Sequence, residues 1–107
     1  MGSSKSGPRH PERKALLRPI VGLATNLSRT DLERITVHAI KKHRLLRDIA
    51  ESKELALKAL PLGGTDLDTA AAARLAYVDA MIEMHAQQTV VSTLLDVLGY
   101  VPNTKET

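Results

Sequence analysis

The chain contains no cysteine, no tryptophan and no phenylalanine, and two tyrosines are its whole aromatic content. Without cysteine there is no disulfide framework and no thiolate chemistry, which fits a reducing, cytoplasmic setting. Almost no ring is left to stack on nucleic-acid bases. No apolar run approaches the roughly 20 residues that a membrane span needs. No apolar stretch near the start reads as a secretory signal. The opening Met1-Gly2-Ser3-Ser4-Lys5-Ser6 matches the loose N-myristoylation pattern, though a plain flexible start is the simpler reading. Nucleotide and hydrolase motifs are missing too: there is no GxGxxG, no GxxxxGKS, no GxSxG and no HExxH. The histidines, His10, His38, His43 and His85, are never three or four positions apart, so no zinc site forms from local sequence. The residues therefore predict no catalytic group, no metal, no cofactor and no small-molecule ligand.

What is present is aliphatic. The 107 residues suggest one domain, and 43% are hydrophobic, so the core must come from Leu, Ile, Val, Ala and Met. Such side chains at helical spacing pack as bundles. The net charge of +3 is unevenly spread. Residues 1 to 18 carry five cations and one carboxylate. Residues 30 to 60 carry seven cations and five carboxylates. Residues 65 to 98 carry Asp66, Asp68, Asp79, Glu83 and Asp96 against Arg74 alone, net −4. An acidic element behind a basic one suits pairing between the two, or an acidic face that meets a basic partner.

Along the chain, residues 1–15 read as a flexible basic arm, 16–103 as a helical-hairpin domain and 104–107 as a flexible tail. The apolar stretch from Leu16 to Leu23 is broken by Pro19 and Gly22, which predicts an extended or single-turn piece docked on the core. The first long helix begins at Thr30-Asp31-Leu32-Glu33, a capping box with Thr30 as the cap. Ile35, Ala39, Leu46, Ile49, Ala56 and Leu60 then recur in alternating steps of three and four once Lys42 and Lys53 are counted, which is a heptad seam. Pro61 and Gly63-Gly64 end it. The second begins at Thr65-Asp66-Leu67-Asp68 and runs to Leu98, with Gly99 as its C′ residue and Pro102 preventing resumption. Its seam is Tyr77, Met81, Met84, Val91, Leu95 and Leu98, with Arg74 and Gln88 on it and Val78, Ile82 and Leu94 widening it. The expected fold is all-α: two long antiparallel helices per chain. A lone hairpin leaves apolar surface on both rods, so the chain is expected to dimerise into a helical bundle.

The densest cluster of chemistry is YVDAMIEMHAQ, residues 77 to 87. On a helix, Asp79 and Glu83 lie about 40° apart, while His85 lies about 200° from Glu83. They cannot converge on one ion. His85 is expected at the core edge near Val78, Met81 and Ile82, with the carboxylates facing solvent or a partner. An enzyme built on Glu83 and His85 is the weakest reading. Lys41-Lys42-His43-Arg44 with Arg47 is the one strong basic cluster. It supports an alternative, a small dimeric helical DNA-binding protein using Lys41, Lys42, Arg44, Arg47 and the arm. Against that, successive positions point all around a helix, helix-turn-helix spacing is missing, and Asp48, Glu51 and Glu54 lie near enough to pair with the cations.

Several stretches together resemble one family. They are Leu17-Arg18-Pro19-Ile20-Val21-Gly22-Leu23, Thr30-Asp31-Leu32-Glu33, Ala39-Ile40 with His43-Arg44, Ala59-Leu60-Pro61, Tyr77 through Gln87, and Leu94-Leu95 with Leu98-Gly99-Tyr100-Val101-Pro102. The chain resembles the TraM quorum-sensing antiactivators of Agrobacterium and rhizobial conjugative plasmids, which share only their name with the DNA-binding TraM of F-type plasmids. IEMHAQ at 82 to 87 is the most specific string. The basic arm and the Ala-rich stretch around Gly63-Gly64 depart from the family. The resemblance implies a cytoplasmic, non-enzymatic homodimer that does not itself bind nucleic acid. It implies a protein partner, the LuxR-type activator TraR, engaged mainly through its DNA-binding domain and blocked from DNA, so that transfer genes stay off. The partner-binding residues expected on this chain are Leu23, Tyr77, Asp79, Glu83 and Tyr100. The seam residues Ile35, Leu46, Ile49, Met81, Met84, Val91 and Leu95 are expected in the core or the dimer. Burial in the dimer is an equally good reading for Tyr77.

Overall fold

The computed structural model describes residues 17–61 and 63–105. The arm expected over 1–15 lies outside them. Among the described residues all regular structure is helical: α1 (Arg18–Thr25), α2 (Arg29–Lys58) and α3 (Leu67–Leu98). The all-α expectation holds, with one helix more than expected. The stretch read as extended or a single turn is an eight-residue helix, because Pro19 falls in its first turn. There a missing N–H is no loss and the fixed φ suits the helix. The Leu17 carbonyl accepts the N–H groups of Ile20 (2.9 Å) and Val21 (3.1 Å). At the other end the Gly22 carbonyl accepts both the Thr25 hydroxyl and the Asn26 side-chain amide, each at 3.2 Å.

Both long helices start on a side-chain cap set just before the first helical residue. Ser28, not Thr30, caps α2: its hydroxyl accepts the Asp31 N–H at 3.1 Å. Asp66, not Thr65, caps α3, its carboxylate accepting the Thr69 N–H at 3.0 Å. Thr65 instead donates its hydroxyl to the Pro61 carbonyl at 3.3 Å. A cap must sit just before the first helical residue with its oxygen within reach of N2 or N3. Each helix start offers two cap-forming residues, and the one just before the first helical residue takes the role. At the close of α3, Gly99 takes φ +92° and returns its N–H to the Leu95 carbonyl at 2.8 Å, as expected of a C′ glycine. Gly63, in the turn after α2, has φ +75°.

The described residues divide into two compact units, one formed by residues 17–40 with 89–105 and the other lying within 41–88. In the first, Ala24 of α1, Leu32 and Ala39 of α2, and Leu94 and Leu98 of α3 form the core. Ile20, Leu27, Val90, Val91 and Val97 pack on it. Thr36 is fully buried here, and its hydroxyl donates to the Leu32 carbonyl at 2.8 Å, so its burial leaves no polar group unpaired. Arg29 Nη1 reaches the Leu98 carbonyl at 3.4 Å, with its guanidinium 5.8 Å from the Tyr100 ring centre. The last turn of α3 has no cation of its own. Arg29 supplies one from α2, where the helix dipole favours it.

In the second unit the innermost residues are Ala50 of α2 and Ala80 of α3. Half-buried around them are His43, Leu46 and Leu57 on α2, and Ala73, Tyr77, Met84 and Gln87 on α3. These two rows step by three and four like a heptad seam, but half of each is shifted from the row read from sequence. Positions 43, 50 and 57 of α2 turn inward, while Ile49 and Ala56 are exposed. On α3, Ala73, Ala80 and Gln87 turn inward while Arg74 and Gln88 are exposed, and Met81 stays half-buried as expected. The reason is composition. The inward rows hold alanines, a histidine and a glutamine, which give no strong hydrophobic signal.

Candidate protein-interaction surface

Side chains that a partner can reach are fixed by which side of each helix the core takes. In the second unit α3 turns Ala73, Ala80 and Met84 inward, so residues near 75 and 82 turn outward. Leu75 is 69% exposed, Ile82 61% and Val78 42%. Val78 and Ile82, read from sequence as widening the seam, are therefore outside the chain's core. Asp79 and Glu83 are exposed on the same side, and neither has an ion-pair partner among the described residues. His85, expected at the core edge, is exposed too, because the apolar side it was placed on faces solvent. Tyr77 is half-buried on the inward row. In the first unit Leu23 is 73% exposed on α1, and Tyr100 is exposed with Arg29 over its ring.

Of the expected seam residues, Leu46, Met81, Met84, Val91 and Leu95 are half-buried, while Ile35 and Ile49 are exposed in the single chain. On this side of α3, Leu75 is a surface residue that sequence reading missed. The signal for it was the spacing 75, 78, 82, which repeats on one helix side like a seam but carries Asp79 and Glu83 within it.

The basic cluster does not form one patch. Lys41 is half-buried, Lys42, Arg44 and Arg47 are exposed, and Arg47 lies 3.8 Å from Asp48. Lys58 pairs with Glu54 at 3.2 Å, one turn away. Among the described residues no three or more His, Asp or Glu side chains are grouped to hold a metal ion. None of their helices is long and apolar enough to cross a membrane.

An all-helical chain with exposed apolar and acidic side chains suits binding to another macromolecule, and comparison with known proteins gives the kind of regulator. Residues 1–103 match the family described as prokaryotic transcriptional repressor TraM. The chain belongs to that family. It is 43% identical over 91 residues to the transcriptional repressor TraM of Agrobacterium fabrum strain C58, covering 85% of this chain and 87% of that protein. It is 41% identical over 91 residues to the transcriptional repressor TraM of Rhizobium radiobacter, covering 84% and 86%. A family of transcriptional repressors is one of regulators, in keeping with a chain in which no catalytic constellation was read.

Proposed function

We propose that the chain is a cytoplasmic quorum-sensing antiactivator. It binds a LuxR-type activator of the TraR kind, mainly through that protein's DNA-binding domain, and keeps it off its promoter, so that plasmid transfer genes stay silent. The observation that carries this reading is the exposed acidic side of α3. Asp79 and Glu83 stand in solvent with no cation paired to them among the described residues, beside exposed apolar residues. A DNA-binding domain presents basic surface to phosphates, and a negative, partly apolar face competes for that surface. Membership of a repressor family supports it, since a repressor can act by binding the protein that reads the promoter.

The active form in this reading is a homodimer. Ile35 and Ile49 stay exposed in the single chain, and a second copy would cover them. Leu23 and Tyr100 are apolar contacts in the first unit, Asp79 and Glu83 acidic ones in the second. Tyr77, half-buried, supports the helix that carries them. The test is sedimentation velocity of the chain mixed with signal-loaded activator and no DNA. A faster boundary containing both proteins is expected; two independent boundaries would contradict the proposal.

A further inference from the structure

The antiactivator reading names Asp79 and Glu83 as acidic contacts but leaves open which apolar side chains of the second unit the activator meets. We infer that the outward side of α3 between residues 75 and 83 is a docking ridge for the activator's basic DNA-binding surface, with Leu75, Val78 and Ile82 as apolar anchors and Asp79 and Glu83 as a charged rim. This inference rests on the function proposed above.

Four observations meet here. The three aliphatic side chains are 69%, 42% and 61% exposed, and their spacing of three and four places them in one stripe on one helix side. The stripe is on the opposite side of α3 from inward-facing Ala80 and Met84, so the chain's own core does not use it. Asp79 and Glu83 run along its edge, exposed and without an ion-pair partner among the described residues. Both long helices are well capped at their starts, so the ridge sits on a rigid element, which lowers the entropy lost on binding.

The sign of the charge selects the occupant. A second copy docking this stripe against itself about a two-fold axis would bring carboxylate to carboxylate, which opposes the pairing. A basic surface with apolar gaps between its cations answers both features at once. Arginines and lysines that hold DNA phosphates would instead meet Asp79 and Glu83. Aliphatic burial holds the complex and the carboxylates guide its formation. Inhibition is then direct competition for the residues that bind DNA.

The experiment is fluorescence anisotropy of labelled promoter DNA saturated with signal-loaded activator and titrated with the full chain. The variants are Leu75→Ser with Ile82→Ser, Asp79→Lys with Glu83→Lys, and Leu55→Ser as a control at an equally exposed apolar site on α2. Circular dichroism and sedimentation follow fold and oligomeric state. The expected result is that the parent and the Leu55→Ser chain displace the activator at similar concentrations. The two ridge variants should need about tenfold more or fail, with helix content and oligomeric state unchanged. If the ridge variants displace the activator as well as the parent, the ridge is refuted while antiactivation stands. If they fall apart into smaller species, the ridge joins copies of this chain and the inference is refuted. A Leu55→Ser loss as large as theirs refutes it also. Should the parent itself displace nothing, the proposed function falls and the ridge with it.

Discussion

Arg29 sits at the start of α2, where its own helix dipole disfavours a cation, and reaches the close of α3, where the dipole favours one. The hydrogen bond to the Leu98 carbonyl and the position over Tyr100 explain why an arginine stands there. Arg29→Met is expected to lower unfolding stability by about 1 kcal/mol, read from urea denaturation. Pairing it with Tyr100→Leu in a double-mutant cycle should show a coupling of about 0.5 kcal/mol. The second residue of interest is His43, whose Nε2 is the one buried side-chain nitrogen among the described residues without a hydrogen bond. A buried, unpaired polar atom lowers stability, so His43→Leu should raise it by about 1 kcal/mol. A lower midpoint would show that the nitrogen has a partner after all. His43 was read from sequence as one member of a basic run. Its inward position was hidden because a histidine carries no hydrophobic signal.

At the level of the helix, stability depends on the caps. Ser28→Ala should weaken α2 by about 1 kcal/mol, while Thr30→Ala should have a smaller effect, since the Thr30 hydroxyl does not make the cap bond. Asp66 adds a pH dependence. Its hydrogen bonds from Thr69 hold its carboxyl below the ordinary value of 3.8. A carboxyl depressed on folding stabilises the folded state above its unfolded value. That contribution fades as the pH falls below about 4 through the folded value. Asp66→Asn keeps a capping oxygen and loses the charge, so thermal melts of the variant should fall less steeply with acid than those of the parent. The element scale is also where the sequence was most legible. Both long helices, the breaks at Pro61 and Gly99, and the acidic character of α3 follow from capping chemistry, proline and glycine placement, and composition. The short helix α1 was missed because Pro19 and Gly22 read as breakers, although a proline in the first turn starts a helix as readily as it ends one. Half of each inward row was missed because Ala50, Ala73 and Ala80 pack closely without marking themselves as core.

For the whole molecule, the exposed aliphatic residues are the central fact. Ile35, Leu45, Ile49, Leu75 and Ile82 all lie open on the single chain, more than its own core requires. In the proposed function two kinds of contact would account for them: a second copy, and a partner protein drawn to the acidic side of α3. The candidate site was only partly legible because one periodic pattern serves both core and interface. Val78 and Ile82 looked like seam until the folded chain showed where Ala80 turns. Increasing salt is expected to slow association with the activator more than it speeds dissociation, a split that stopped-flow mixing measures. The most direct test of the account is a gel shift. Signal-loaded activator is held on its promoter fragment and the chain is titrated in, beside a lane of the chain with DNA alone. The account predicts that the activator–DNA band disappears and the control lane stays unshifted. A persistent activator band, with the DNA shifted by the chain itself, would contradict it and make Lys42, Arg44 and Arg47 the site.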